Sequence, residues 1–495
     1  MTDGTEGLEQ AKEAVFGAGV APLEELIGGT VDPKAEEYEL VSTGIREFVR
    51  RLLGKTGVKV NAALLTEFVA DLDKQLSRQV DEILHHPEVQ KLESAWRGLF
   101  FLVDRTNFKE NIKVEFVNCS KDDLLTDFED EPEITRTGLF KHAYDAGYGV
   151  FGGEPVGAII GNYEFDASAP QDVKLLGYCA SIASMAHAPF ISGTSAKTFG
   201  IKSFDELGAV KDVKAVFEGP RYARWRSFRD SEDARYVGLA APRYLLRLPY
   251  GAETVPVKEF AYEEAVTGSH DKYLWGNTAF AFASRLTDAF AKNRWCANII
   301  GPQGGGAVEE LPVHVFKAGG ADTMKIPTEV QIGDALDLSL SDLGFISLSW
   351  RKGSDNAAFF AANSTQKPAY FGQSAKGKEA EANFKVATRL PYIFVISRLA
   401  HYIKCIQREK IGSNMDVQKL TRLLSDWIGQ YVTEMTDPSD EAIARKPLKK
   451  AEITVEEVPG EVGWYKVAMK IMPHMKYEGA DFTLSLVGKL DKQAK

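Results

Sequence analysis

Val156-Gly-Ala-Ile-Ile-Gly161, a helix-length stretch over 171–186, and Pro189-Phe-Ile-Ser-Gly193 follow one another mid-chain, and their reading decides the fold. Two short apolar runs flanking a helical segment make the pattern of a β-α-β unit. Further runs over 112–117 (with a period of two), 236–239, 297–301 and 344–348, and a second helical stretch over 277–293, extend the alternation. Strands alternating with helices predict a layered α/β core.

Upstream, Leu65, Phe68, Val69, Leu72, Leu76, Val80 and Ile83 fall close to the i, i+3, i+4, i+7 spacing of a helical stripe that starts near Asn61. Pro87 interrupts it, and Glu88-Val-Gln-Lys-Leu-Glu-Ser-Ala-Trp-Arg-Gly-Leu99 reads as a second helix. The residues before 61 are rich in glycine and acids, with only short amphipathic stretches such as Leu23-Glu-Glu-Leu-Ile27. They read as a flexible arm. Downstream of about residue 380, Ile396, Leu399, Ala400, Ile403 and Ile406 share one helical face. Val417, Leu420, Leu424, Trp427, Ile428 and Tyr431 form the cleanest stripe in the sequence. Three β-rich runs then follow, over 452–458, 464–471 and 482–487, with Pro459-Gly460 as turn punctuation. The expected organisation is an arm (1–60), an α/β body (61–378) and a C-terminal α+β domain (379–495), a mixed α/β (α+β) fold.

Composition narrows the function. The chain has 495 residues, 44% apolar and 26% charged, and a formal net charge of -11. Such acidity argues against non-specific nucleic-acid binding, which needs basic patches to displace counterions. The longest apolar run, Pro391-Tyr-Ile-Phe-Val-Ile396, ends at Ser397-Arg398, far short of the roughly 20 residues of a membrane span. The first residues, Met1-Thr-Asp-Gly-Thr-Glu6, have neither a basic n-region nor an apolar h-region, so no secretory signal is expected. Cys119, Cys179, Cys296 and Cys405 are far apart in sequence and read as free, mostly buried thiols of a cytoplasmic protein.

Catalytic patterns fail one by one. None of the eight histidines sits in HExxH, and the adjacent His85-His86 side chains would point about 100° apart on a helix, which favours a helix-end or interface role. Gly372-Gln-Ser-Ala-Lys-Gly-Lys378 matches a P-loop for seven places, but Glu379 stands where magnesium binding needs Ser or Thr. Gly304-Gly305-Gly306 leaves no room for a following helix and reads as a turn that brings backbones close. Ser364-Thr-Gln-Lys367, Ser354-Asp-Asn356 and Lys55-Thr-Gly57 imitate β-lactamase triplets in reversed order, and Pro368 spoils the helix that the Ser–Lys pair requires. No catalytic residue, metal or cofactor is expected, and no enzymatic activity.

The informative features are instead long blocks rich in Trp, Arg, Gly and Pro. They are His85-His-Pro-Glu-Val-Gln-Lys-Leu-Glu-Ser-Ala-Trp-Arg-Gly-Leu99, Phe151-Gly-Gly-Glu-Pro155 leading into Tyr163-Glu-Phe165, and Ala186-His-Ala-Pro-Phe190. Trp225-Arg-Ser-Phe-Arg-Asp-Ser-Glu-Asp-Ala-Arg235, Pro242-Arg-Tyr-Leu-Leu-Arg-Leu-Pro-Tyr-Gly251 and Leu274-Trp-Gly-Asn277 come next. Gly305-Gly-Ala-Val-Glu-Glu-Leu-Pro312, Leu390-Pro-Tyr392 and Ala400-His-Tyr-Ile-Lys404 complete the set. In order and content they resemble the large sheath subunit (TssC/VipB family) of type VI secretion systems, over roughly residues 65–490. Asn162 departs from the Asp usual in that family before Tyr-Glu-Phe, and the arm matches poorly.

The resemblance implies a structural subunit that pairs with a small sheath subunit (TssB/VipA type) and polymerises helically around an Hcp-type inner tube on a baseplate. It also implies contraction powered by a change of packing, and disassembly by a ClpV-type AAA+ unfoldase. In the family a short N-terminal helix meets the unfoldase, and Leu23, Leu26 and Ile27 make the matching i, i+3, i+4 patch here. Interfaces favour Trp, Tyr and Arg anchors, so Trp96, Arg97, Trp225 and Arg229 are expected at inter-subunit contacts. The strand Trp464-Tyr-Lys-Val-Ala-Met-Lys-Ile471 is expected to interlock neighbours by strand exchange through Tyr465, Val467, Ala468 and Met469, although an isolated domain would use the same alternation for its own core. The rivals are a sheath of a related contractile injection particle and a cytosolic nucleotide-dependent α/β enzyme resting on residues 372–378.

Overall fold

A computed structural model describes residues 38–39, 42–44, 62–258, 260–433, 435, 438–459 and 464–474. The chain divides into two compact units, Met1–Val89 with Pro249–Val266, and Gln90–Leu248 with Thr267–Lys495.

In the first unit α1 (Ala62–Leu84) stops at the His85-His86 turn; α2 (Pro87–Asp104), which belongs to the second unit from Gln90 on, opens on Pro87, whose missing N–H costs nothing at a helix start. His86 Nδ1 accepts the Glu88 N–H at 3.4 Å, so the turn closes the helix junction as its position suggested. The 249–266 segment is tied to α1 by polar contacts. The Tyr262 hydroxyl donates to Asp81 Oδ1 at 2.7 Å, and the buried Glu264 lies 3.2 Å from His85 Nε2 while accepting the Tyr250 N–H at 2.9 Å. The half-buried side of α1 carries Asp73, Ser77, Val80 and Asp81, whereas Val69, Leu72, Leu76 and Ile83 are exposed. The stripe has helical spacing, but most of it faces outward.

The second unit is built on a six-stranded sheet. After α3 (Lys121–Asp130) come β1 (Ile159–Phe165), α4 (Pro170–Ala186), β2 (Phe190–Thr194), α5 (Ala223–Arg229) and β3 (Val237–Ala241). The short strands β4 (Tyr244–Leu245) and β5 (Trp275–Gly276) pair beside α6 (Thr278–Asn293). β6 (Ala307–Val308), the hairpin β7 (His314–Ala318) and β8 (Ala321–Lys325), α7 (Asp334–Asp342), β9 (Phe345–Trp350) and β10 (Ala357–Phe359) complete the body. The sheet order is β1-β2-β3-β9-β10-β6, parallel through β9 and antiparallel beyond.

The period of two in the strands sorts their side chains into two cores. Phe190, Leu239 and Phe345 enter the core shared with α4, while Ile191, Ala240 and Ile346 enter the one shared with α6. β2, β3 and β9 are buried at every position, which is why they read as short continuous apolar runs. The layered α/β core is as expected, but two of its strands are not. Residues 112–117 are extended without a ladder partner, and 297–301 form a bend ending at Gly301, whose N–H donates to Phe359 O at 2.7 Å. The Gly304-Gly305-Gly306 turn does bring backbones together: a Cβ on Gly305 would lie 2.2 Å from Asn298 O.

The C-terminal part consists of α8 (Ala375–Ala387), α9 (Leu390–Lys410), α10 (Val417–Gly429), β11 (Leu448–Glu457) and β12 (Tyr465–Pro473). α9 buries two faces. Leu390, Ile393 and Phe394 complete the α6-side core, and Val395 and Leu399 join Leu420, Leu424, Ile428, Ile453 and Val455 in a third. β11 and β12 pair with each other, Val455 opposite Val467 and Ile453 opposite Met469. The β-rich run at 482–487 and the arm residues Leu23, Leu26 and Ile27 lie outside the described residues.

Candidate assembly surfaces

The residues expected at subunit contacts separate into three environments. Trp225 is 0% exposed, its indole stacked on Phe345 with centroids 5.9 Å apart and planes at 17°. Arg229 is buried too, its Nε donating to Thr365 O at 2.9 Å and its Nη2 to Asp342 O at 3.0 Å. Burial pushes its guanidinium down to about 10. Both belong to the interior, and their expected place at an interface is corrected: a large aromatic and a multiply donating cation suit a keystone between loops as well as an interface anchor.

Tyr465, Val467 and Met469 are likewise half-buried against the third core, and the Tyr465 hydroxyl donates to Met415 O at 3.1 Å. Their apolar face packs on the chain's own third core, and each of the three stays half-exposed. Ala468 lies on the other, exposed face, opposite Thr454 and between the cross-strand pairs Glu456–Lys466 and Glu452–Lys470. Opposite charges directly across a strand pair stabilise it by a few tenths of a kcal/mol. Among the described residues the outer side of β11 is bridged at Leu448, which accepts the Thr433 N–H at 2.9 Å and donates to Tyr431 O at 3.2 Å, and no strand pairs along the rest of either outer edge.

Trp96 occupies the third environment. It is 59% exposed on α2, together with Leu92 and Phe100, and it meets the exposed Phe116 edge-on with centroids 6.3 Å apart. Arg97 turns inward: its Nε donates to Glu93 Oε1 at 2.7 Å, and Arg247 reaches the same oxygen at 2.8 Å. Burial pushes the Glu93 carboxyl up, but the two guanidiniums outweigh it and hold the group below the usual carboxylate range. The sequence reading missed Phe100 and Phe116. The available signal was the run Leu99-Phe-Phe-Leu-Val103, more apolar residues than one helix face can bury.

The enzyme-like patterns resolve into structure. Ser374 of the P-loop-like stretch caps α8 by accepting the Gly377 N–H at 3.0 Å, and a Cβ on Gly377 would lie 2.5 Å from Phe371 O. The last described strand before it, β10, ends at Phe359, so no strand leads into that loop. Ser364 is buried, and Lys367 is held by its backbone N–H on Arg229 O in a non-helical stretch. Among the described residues no helix is long and apolar enough to cross a membrane.

Comparison with known proteins bears on what these surfaces are for. Residues 66–366 match the VipB family model, described as the EvpB/VC_A0108 tail sheath N-terminal domain, and residues 379–490 match its companion, the tail sheath gpW/gp25-like domain. The chain is 44% identical over 467 residues to the type VI secretion system sheath protein TssC1 of Pseudomonas aeruginosa, covering 92% of this chain and 93% of that one. Two solved structures are distantly similar. The cryo-EM baseplate of the anti-feeding prophage gives a TM-score of 0.40 at 8% identity, over 76% of this chain and 83% of that one. The contracted helical sheath of the same particle gives 0.32 at 9% identity, over 64% and 66%. With both sheath domains matched in order and a relative alike along nearly its whole length, the chain belongs to the VipB/EvpB family of type VI secretion tail sheath proteins.

Proposed function

We propose that this chain is the large subunit of a contractile type VI secretion sheath. It pairs with a small sheath subunit (TssB/VipA type), and the heterodimers polymerise in the cytoplasm around an Hcp-type inner tube on a baseplate. The extended sheath is a metastable packing of the same subunits, and contraction to a lower-energy packing drives the tube and spike outward without chemistry in this chain. A ClpV-type AAA+ unfoldase then takes the contracted sheath apart through the arm, at Leu23, Leu26 and Ile27. The arm (1–60), body (61–378) and assembly domain (379–495) divide the work accordingly.

One observation carries this reading. β11 and β12 are long strands whose outer edges are open past Leu448 among the described residues, packed on α10 and joined through the third core to α9, whose other face is buried in the body core. Open edges of that length invite strand addition by another chain. The shared core passes a pull on the strands through α10 and α9 to the body. Heterologous contacts of this kind propagate into helical filaments. Co-expression with the small sheath subunit tests the reading: the two chains are expected to copurify and to form tubules visible by negative-stain electron microscopy. A stable, monodisperse monomer that ignores the small subunit would refute it.

A further inference from the structure

Lys325 ends β8, and its ammonium meets a base where other lysines of the chain meet acids. Lys121, Lys174 and Lys214 each close on a carboxylate, whereas Lys325 Nζ lies 2.8 Å from His270 Nδ1. The other ring nitrogen, His270 Nε2, is 3.1 Å from Glu329 Oε1. The Glu329 carboxylate is fully enclosed and fixed by Arg243, whose Nη2 donates to Oε1 at 2.7 Å and whose Nε donates to Oε2 at 2.9 Å. Burial pushes the Glu329 carboxyl up, but His270 and Arg243 outweigh it and hold the group below the usual carboxylate range. An ionised carboxylate only accepts hydrogen bonds. The ring proton therefore sits on Nε2, and the lone pair of Nδ1 faces the lysine.

The surroundings hold this arrangement in place. Trp275 stacks on the His270 ring with centroids 4.9 Å apart, and its Nε1 donates to His270 O at 2.9 Å. The same indole and the Tyr273 ring flank the ammonium, their centroids 5.2 and 5.4 Å from Nζ. Burial pushes the Lys325 amine down, against the opposing pull of Asp205, Glu329 and Asp271. Those three carboxylates, His270 and Tyr273 are the titratable groups that face it. Lys325 is half-buried, but residues 317–324 of its hairpin and Asp271 are exposed, so a small reagent reaches the amine from that side.

We propose that Lys325 is an acyl-acceptor site, modified without an enzyme by small activated acyl donors (acyl phosphates or acyl thioesters), with His270 as the base that takes its proton and Glu329 as the group that orients His270. A carboxylate, an imidazole and a nucleophile in this order activate hydroxyl and thiol groups elsewhere; here the nucleophile is an amine. One ammonium proton passes to His270 Nδ1, and the imidazolium that forms is stabilised by Glu329. The free amine attacks the acyl carbon, and an N–C bond forms. The C–O bond to phosphate, or the C–S bond to the thiol, breaks with its electron pair. A second amine proton goes to that leaving group, and His270 returns its own to water. The product amide has lost the charge held between Tyr273 and Trp275 at the base of the β7–β8 hairpin. This site stands independently of the sheath reading.

The test treats the folded full chain with isotopically labelled acetyl phosphate, and in a second arm with acetyl coenzyme A. Mass spectrometry then reads the initial acetylation rate at each lysine. Lys317, exposed on the same hairpin, is the internal reference. At neutral pH Lys325 is expected to react at least about tenfold faster than Lys317 with one donor or both, since a positioned base contributes about 10²–10⁴. That advantage should shrink as the pH rises toward ~10, where exposed lysines lose their protons unaided. His270→Gln keeps a donor toward Glu329 but takes up no proton, and should bring Lys325 down to the Lys317 rate or below while Lys317 itself is unchanged. The wild-type pH profile needs no variant to fold. A Lys325 rate no greater than that of Lys317 with both donors overturns the site. A ratio of the two rates that stays flat from neutral to high pH, or a Lys325 rate unaffected in His270→Gln, overturns the role of His270 as its base.

Discussion

Leu424→Ala tests whether the C-terminal sheet is carried by a small core of its own. Leu424 is 0% exposed on α10, packed in the third core with Leu420, Ile428, Leu399, Ile453 and Val455. Removing a fully enclosed isobutyl group costs about 2–5 kcal/mol, the spread depending on how far the site collapses. The surrounding atoms come from three elements, α9, α10 and β11, which cannot all close on one void, so about 3 kcal/mol is the expected loss. That is roughly a hundredfold rise in the open population, since 1.4 kcal/mol is tenfold. Native-state hydrogen exchange on the co-expressed heterodimer reads it directly: amides of α10 and β11 lose about two orders of magnitude of protection, while those of β2 and β3 hold theirs. Tubule yield falls with the C-terminal protection. An equal loss in β2 and β3 would refute the reasoning, because the two parts would then open as one unit.

Ala468→Glu is expected to change the fold by no more than about 0.5 kcal/mol, since its neighbours on the exposed face include Lys466 and Lys470. A neighbouring subunit packed on that face would bury the new charge at several kcal/mol. Heterodimers with few long tubules in electron micrographs are therefore expected, and normal sheaths would show that the face meets solvent. Acid should weaken the body through His401, which burial pushes down to about 4, assisted by nearby cations, although its Nε2 bond to Ala186 O at 2.8 Å opposes the shift. The unfolded chain takes up this proton below about pH 6.5 and the folded chain does not, so stability present above pH 6.5 drains away toward pH 4, about 2 kcal/mol of it by pH 5. Urea titrations at pH 7.5 and 5 check this, and an undiminished pH slope in His401→Gln would assign the effect elsewhere. Deleting residues 1–30 should leave tubules intact but resistant to the unfoldase; continued disassembly would move that contact out of the arm.

The sequence and the fold agree where a signal is local. β1, β2, β3 and β9 fall within a few residues of their apolar runs, Pro87 breaks the helix, and three adjacent glycines mark a turn where backbones touch. Disagreement begins where a residue's role depends on what stands opposite. Residues 112–117 have a strand's alternation, yet a ladder also needs a second strand, and none of the described strands supplies one. The α1 stripe has the spacing of a buried face, but the segment bonded to α1 meets its polar side at Asp81. Trp225 and Trp96 stand in blocks of similar composition, one in the core and one in the open. Composition suggests an anchor in both cases; only packing tells which surface it anchors.

The most direct measurement is a cryo-EM map of the tubules formed with the small subunit, resolved at the edges of β11 and β12. The account expects at least one edge to carry a strand from another chain in register. Edges left bare, or filled only by the chain's own residues, would contradict the claim that this sheet interlocks the sheath.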